Sequence, residues 1–247
     1  MTTFDQSGVN ARPPMIPGAS GPRPIGFWLT ICWLGAALAA ALLFVFILLG
    51  SYEFIFGSLP SDTKVEQDLI PCTYIIVVIV LIEIVRHAGW SVRDYFALIA
   101  PTRQQMFLAV AAGVAFLLID NIVGLLDPTP PDPMAYLYFD KALAEGLLPL
   151  LWLNIILFAP IAEEMVFRGF LYRGWSQTRL GPSATIVLTA ILFGLIHIQY
   201  DWFGMASIAI SGLIMGWLRW RSGSLVLPIL AHATNNTIVA TIVALAD

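Results

Sequence analysis

Charge is scarce in this 247-residue chain. Asp, Glu, Lys and Arg make up 11% of it, against about 25% in ordinary soluble domains. With 59% hydrophobic residues, a soluble globule of this length could not hide its apolar surface in one core. Soluble, fibrous and disordered classes are thereby excluded, and an all-α polytopic transmembrane helical bundle is left. Cysteine is nearly absent as well. The two present, Cys32 and Cys72, form no disulfide framework and lie near the starts of the first two apolar runs. If consecutive spans alternate in direction, they sit at opposite faces of the bilayer, beyond the roughly 7 Å between Cα atoms that a bridge tolerates. Positive charge is not in excess: 12 basic residues stand against 16 acidic ones, a net charge of −4. No basic field therefore points to nucleic acid. No internal repeat is evident either, which weakens the case for an inverted-repeat transporter.

What the chain has is long apolar runs. A hydrocarbon core of roughly 30 Å needs about 20 helical residues at 1.5 Å each. Runs at 27–50, 69–85, 106–126, 147–172, 183–199, 203–220 and 225–245 meet or approach that length, giving about seven spans. Residues 1–26, rich in Pro, Gly and Ser, read as a disordered tail and not as a signal peptide, since the apolar run that follows is too long and starts too late. The Pro-rich segment 127–133 separates two spans, and the stretch 94–100 suits an interfacial helix. The organisation expected is a tail at 1–26, N-terminal spans at 27–126 and a second unit at 146–245. Ten of the 12 basic residues fall on one side of the alternating runs: Arg12, Arg23, Arg86, Arg93, Arg103, Arg168, Arg173, Arg179, Arg219 and Arg221. Only Lys64 and Lys141 fall on the other. The positive-inside rule then predicts a cytoplasmic N-terminus and an external C-terminus.

Charged groups inside a bilayer cost at least about 2.5–3.5 kcal/mol each on insertion scales, so each one needs a reason. The fourth run holds Glu163, Glu164 and Arg168, the glutamates lying roughly 15 Å deep if the helix continues to Tyr172. Glu164 and Arg168 are four apart and share a face in the favourable acid-first order. Glu163 points about 100° away and has no partner in its own helix. Pro160 is placed to kink the helix and free a carbonyl nearby. His197 falls roughly 20 Å deep in the fifth run, and His232 and Asn236 share one face of the seventh. Three helices thus bring a carboxylate pair and two imidazoles to overlapping depths. An ion pair, a lone histidine or a lone asparagine would each pass as packing, but unrelated packing residues have no reason to share a depth. Elsewhere, Glu83 is placed to pair with Arg86, Asp120 to bond a neighbouring helix or carry a proton, and His87 sits in a basic loop. Ser207, Ser211, Gly212 and Gly216 form a small-residue face suited to close helix packing.

The segment Ala209-Ile210-Ser211-Gly212 approaches a rhomboid serine-protease signature, but its first glycine is an alanine and the paired glutamates would be left unexplained. Neither HExxH nor GxGD occurs. The order EExxxR (163–168), FxxxH (Phe193 to His197) and HxxxN (His232 to Asn236) resembles the CAAX-protease and bacteriocin-processing family, also called Abi or CPBP, which includes the type II CAAX prenyl endopeptidases. The resemblance covers about 146–245. It implies a membrane-embedded endopeptidase acting near the C-terminus of membrane-associated, in some members prenylated, substrates. The site would open to the cytoplasm, in a bacterial plasma membrane.

Carried over residue by residue, Glu163 would activate water as general base, and His197 would orient that water or move its proton. His232 and Asn236 would stabilise the oxyanion, with Glu164 and Arg168 in support. The resemblance favours a glutamate mechanism. Two carboxylates and two imidazoles also suit Zn²⁺ with an open water position, in which case Glu163, His197 and His232 would hold it. Partners expected are membrane lipid and a peptide or lipidated protein. Two other functions stay open at this point: a catalytically silent immunity or scaffold membrane protein, and a proton-coupled transporter using Asp120, Glu163 and the histidines.

Overall fold

A computed structural model describes residues 22, 25–58, 69–126 and 134–246. Most of the expected tail, the loop at 127–133, Arg12, Arg23 and Lys64 lie outside the described residues. The described chain is helical: α1 Phe27–Phe56, α2 Ile70–His87, α3 Val92–Phe96, α4 Arg103–Gly124, α5 Met134–Ala144, α6 Leu148–Ser176, α7 Gly181–Leu195, α8 Trp202–Ser222 and α9 Val226–Ala246. No strand occurs among the described residues. Local chemistry sets several of the ends. Thr102 and Gln105 form a reciprocal capping box at the start of α4. Asp201 accepts the Gly204 N–H at 2.8 Å to open α8, and Gly223, at φ 69°, closes it in the left-handed conformation.

Packing follows membrane logic. Small residues face inward, including Ala37 and Ala41 of α1 and Ala109 and Ala112 of α4. Large apolar side chains face outward: Phe46 is 75% exposed and Leu118 61%. A water-soluble monomer rarely exposes so broad an apolar surface, whereas helices in lipid associate through their small residues. At Gly113, an added Cβ would lie 2.6 Å from the Ala231 carbonyl of α9. At Gly216 it would lie 2.8 Å from Ile186 of α7. The small-residue face of α8 thus has the packing role its composition suggests.

Helix α6 is the hub and touches α1, α2, α3, α7, α8 and α9. Its contacts give the directions of its neighbours. Residues 168 and 172 of α6 meet 212 and 219 of α8, so these two helices run parallel. Residues 155 and 164 meet 236 and 232, so α9 runs antiparallel to α6. Residues 186, 190 and 194 of α7 lie against 216, 212 and 209 of α8, an antiparallel pair.

Six of the described helices are long and apolar enough to cross a membrane. The run read as a fifth span, 183–199, forms the shorter α7 of 15 residues, about 22 Å long. His197 therefore stands in the turn after the helix and not within it. The helix stops there because His197 donates its N–H to Gly194 at 3.1 Å while its ring bonds the Phe193 carbonyl at 2.7 Å. The side chain thus takes one of the carbonyls that a helix end leaves unpaired. The stretch expected as an interfacial helix is α3, capped by Ser91, with Tyr95 and Phe96 buried.

Candidate active site

The two glutamates occupy a six-residue α-helical segment, Ala159–Glu164, set between two π-helical segments of α6, Asn154–Phe158 and Met165–Leu171. Such π segments are uncommon and frequent at functional sites. Pro160 explains the first. Ile155 would ordinarily bond the N–H of Ala159, but that N–H goes to Asn154. Its next candidate donor, Pro160, has no N–H. The carbonyl freed in this way accepts the Asn236 amide of α9 at 2.9 Å. In the second segment, the Arg168 carbonyl accepts from Arg219 Nε at 3.1 Å. Side chains of α8 and α9 therefore satisfy the irregular backbone of α6, as a lipid environment requires.

Adjacent in sequence, the glutamates have opposite surroundings. Glu164 is completely buried, and its Oε1 accepts from Arg168 Nη1 at 2.9 Å and from His232 Nδ1 at 3.1 Å. Arg168 is equally buried. Its Nη2 donates to the Gly212 carbonyl at 2.9 Å, and its guanidinium stacks 4.5 Å from the Phe193 ring centre. Gly212 is where the arginine passes: an added Cβ would lie 3.0 Å from Nη2. Glu163 keeps 14% of its side chain exposed. The Tyr74 hydroxyl of α2 donates to its Oε1 at 3.2 Å, and its Oε2 faces His232 Nε2 at 4.0 Å.

His232 thus lies between the two carboxylates, Nδ1 towards Glu164 and Nε2 towards Glu163. Since a carboxylate only accepts, Nδ1 carries a hydrogen. The same reasoning applies to His197, whose Nδ1 donates to the Phe193 carbonyl and leaves Nε2 free to accept. His197 has no hydrogen bond to either glutamate among the described residues. Instead it is joined to the cluster through Phe193, whose ring centre lies 4.9 Å from that of His197 and 5.9 Å from that of His232, both edge-on.

Of the six residues expected, Glu163, Glu164, Arg168 and His232 are therefore brought together by direct contacts. Asn236 binds the freed carbonyl of α6, and Asn235 donates to its Oδ1 at 3.3 Å. Sequence reasoning missed Tyr74, Arg219 and the passage at Gly212. No spacing links Tyr74 to Glu163, 89 residues away. Asp120 accepts from Ser207 of α8 at 3.0 Å, and Glu83 pairs with Arg86 at 2.7 Å, each away from this cluster.

A zinc site at Glu163, His197 and His232 does not fit this arrangement. Among the described residues no group of three or more His, Cys, Asp and Glu side chains is disposed to hold a metal. The reason is the place of His197, which lies in the turn after α7 and meets the cluster through the Phe193 ring.

An uncharacterized 24.3 kDa protein of Escherichia coli is 35% identical over 117 residues, covering 44% of this chain and 51% of that protein. The chain thus spans about half the length of this relative. No solved structure matches. The family model described as type II CAAX prenyl endopeptidase Rce1-like matches residues 145–238, a stretch holding all three motifs. Over these residues the chain is similar to the Rce1-like type II CAAX prenyl endopeptidases.

Proposed function

We propose that this integral membrane protein is an endopeptidase whose nucleophile is water activated by Glu163. One observation carries the reading: of two adjacent glutamates, one is fully buried and consumed by Arg168 and His232, while the other is partly exposed, with a hydrogen bond from Tyr74 and His232 Nε2 4.0 Å away. The anchored carboxylate positions the cluster, and the accessible one is free to take a proton. Glu163 removes a proton from water, and the oxygen adds to the scissile carbonyl carbon. The resulting oxyanion accepts from the second Asn236 N–H and, in its doubly protonated form, from His232 Nε2. Collapse breaks the C–N bond, and the leaving amine takes the proton from Glu163. His197 presents Nε2 as an acceptor that orients the water.

The arginines at the C-terminal ends of α6 and α8 support a site opening to the cytoplasm of a bacterial plasma membrane. Substrates on this reading are membrane-associated chains cut near their C-termini, prenylated CAAX sequences among them. The test is mass spectrometry of a peptide library, including prenylated C-termini, incubated with purified protein in nanodiscs. Wild type is expected to cleave, and Glu163→Gln to insert and fold but lose cleavage by at least about 10²-fold. Retained cleavage by Glu163→Gln overturns the assignment.

A further inference from the structure

We infer that Tyr74 is a positioning residue for Glu163, supplied from outside the segment that carries the family motifs. The inference rests on the reading of Glu163 as the base. Tyr74 belongs to α2, whereas the matched family segment begins at residue 145. Both residues stand 13 positions before the C-terminal ends of their helices, His87 and Ser176. Helices α2 and α6 are in contact, so the 3.2 Å hydrogen bond joins groups at corresponding levels of two neighbours. The terminal torsion of a glutamate is broad and two-fold, and its two oxygens are interchangeable until something distinguishes them. Here the phenol O–H holds Oε1, and Oε2 is left facing His232 Nε2. Among the described residues nothing else donates to Oε1 of Glu163. Without the hydroxyl the carboxylate would rotate and present its basic oxygen to the attacking water for only part of the time. An oriented base is worth more than a mobile one because the geometry is set before the reaction.

The test is Tyr74→Phe, which removes one oxygen and keeps the ring. The expected result is a kcat lower by about tenfold to a hundredfold, the range for one hydrogen bond to a charged group. KM should stay within about twofold, since the hydroxyl touches the base and not the substrate. Added to Glu163→Gln, the same change should lower residual cleavage no further, because it acts through the carboxylate. Infrared spectroscopy supplies a readout independent of cleavage. The carboxylate band that disappears in Glu163→Gln should shift in Tyr74→Phe. An unshifted band with wild-type kcat overturns the role of Tyr74 while leaving Glu163 as the base. Full cleavage by Glu163→Gln overturns the reading beneath it.

Discussion

Glu163 and Glu164 differ in what surrounds them, not in what they are, and that difference makes their replacements separable. Replacing Glu163 removes a group exposed on one side, so little packing is disturbed. Arg168 is another matter. Its guanidinium bonds Glu164 and the Gly212 carbonyl and is fully buried, so Arg168→Met leaves a buried carboxylate without its counter-charge. That is expected to cost about 3–5 kcal/mol, with a lower thermal midpoint in detergent. The double variant Glu164→Gln, Arg168→Met should regain part of this loss, because no uncompensated charge remains. Thermal unfolding of the three variants with wild type checks both statements. A double variant no more stable than the single would show that the ion pair is not the source of the loss.

At the level of elements, α6 is an interrupted helix, and the interruptions have chemical causes. Pro160 withholds an N–H, Asn154–Phe158 widens into π geometry, and the Ile155 carbonyl turns to Asn236. Pro160→Ala restores a donor that competes for that carbonyl. The expected result is a folded protein with lower kcat, as Asn236 loses the bond that orients its amide; unchanged kcat would separate Asn236 from catalysis. Helix packing offers a contrasting case. Gly113→Val drives side-chain atoms into the Ala231 carbonyl and Thr234 of α9, so α4 and α9 must separate. A loss of about 1–3 kcal/mol in stability is expected from overpacking, read as a lower unfolding midpoint.

In the whole molecule, the order of directions among α6 to α9 matters most. Helix α7 runs antiparallel to α8, and α8 runs parallel to α6, so the chain must return between them. With only 15 residues in α7, the turn after Leu195 supplies the remaining distance, and His197 is in that turn. A shorter helix in a bilayer is accommodated by local thinning, which would also bring water towards the cluster. The arrangement, with the charge asymmetry, predicts an external C-terminus opposite a cytoplasmic N-terminus. Reporter fusions at the two termini check this, and signals from the same compartment would contradict it. Chelator treatment of the wild type is expected to leave cleavage unchanged, given where the donors lie. Loss on chelation with recovery on adding zinc would reverse that expectation.

The helical class, the apolar runs and four of the clustered site residues were legible in the sequence for a physical reason. A bilayer penalises charge so heavily that a Glu–Glu–Arg group and the histidines stand out against apolar neighbours. The four-residue spacing of Glu164 and Arg168 likewise set their contact, because helix geometry is local. Pro160 announced a freed carbonyl, but not that Asn236 would take it. Partners from distant helices had no such signal. Tyr74 on Glu163, Arg219 on the Arg168 carbonyl and the passage at Gly212 depend on which helices become neighbours and at what level. His197 was misplaced in a longer helix because its hydropathy continues through a turn that hydrogen bonding ends. The pairing of Glu164 with Arg168 was legible in the spacing, but the bond from His232 to Glu164 and the bond from Tyr74 to Glu163 came from tertiary structure, because they depend on which sides of α6 meet α9 and α2.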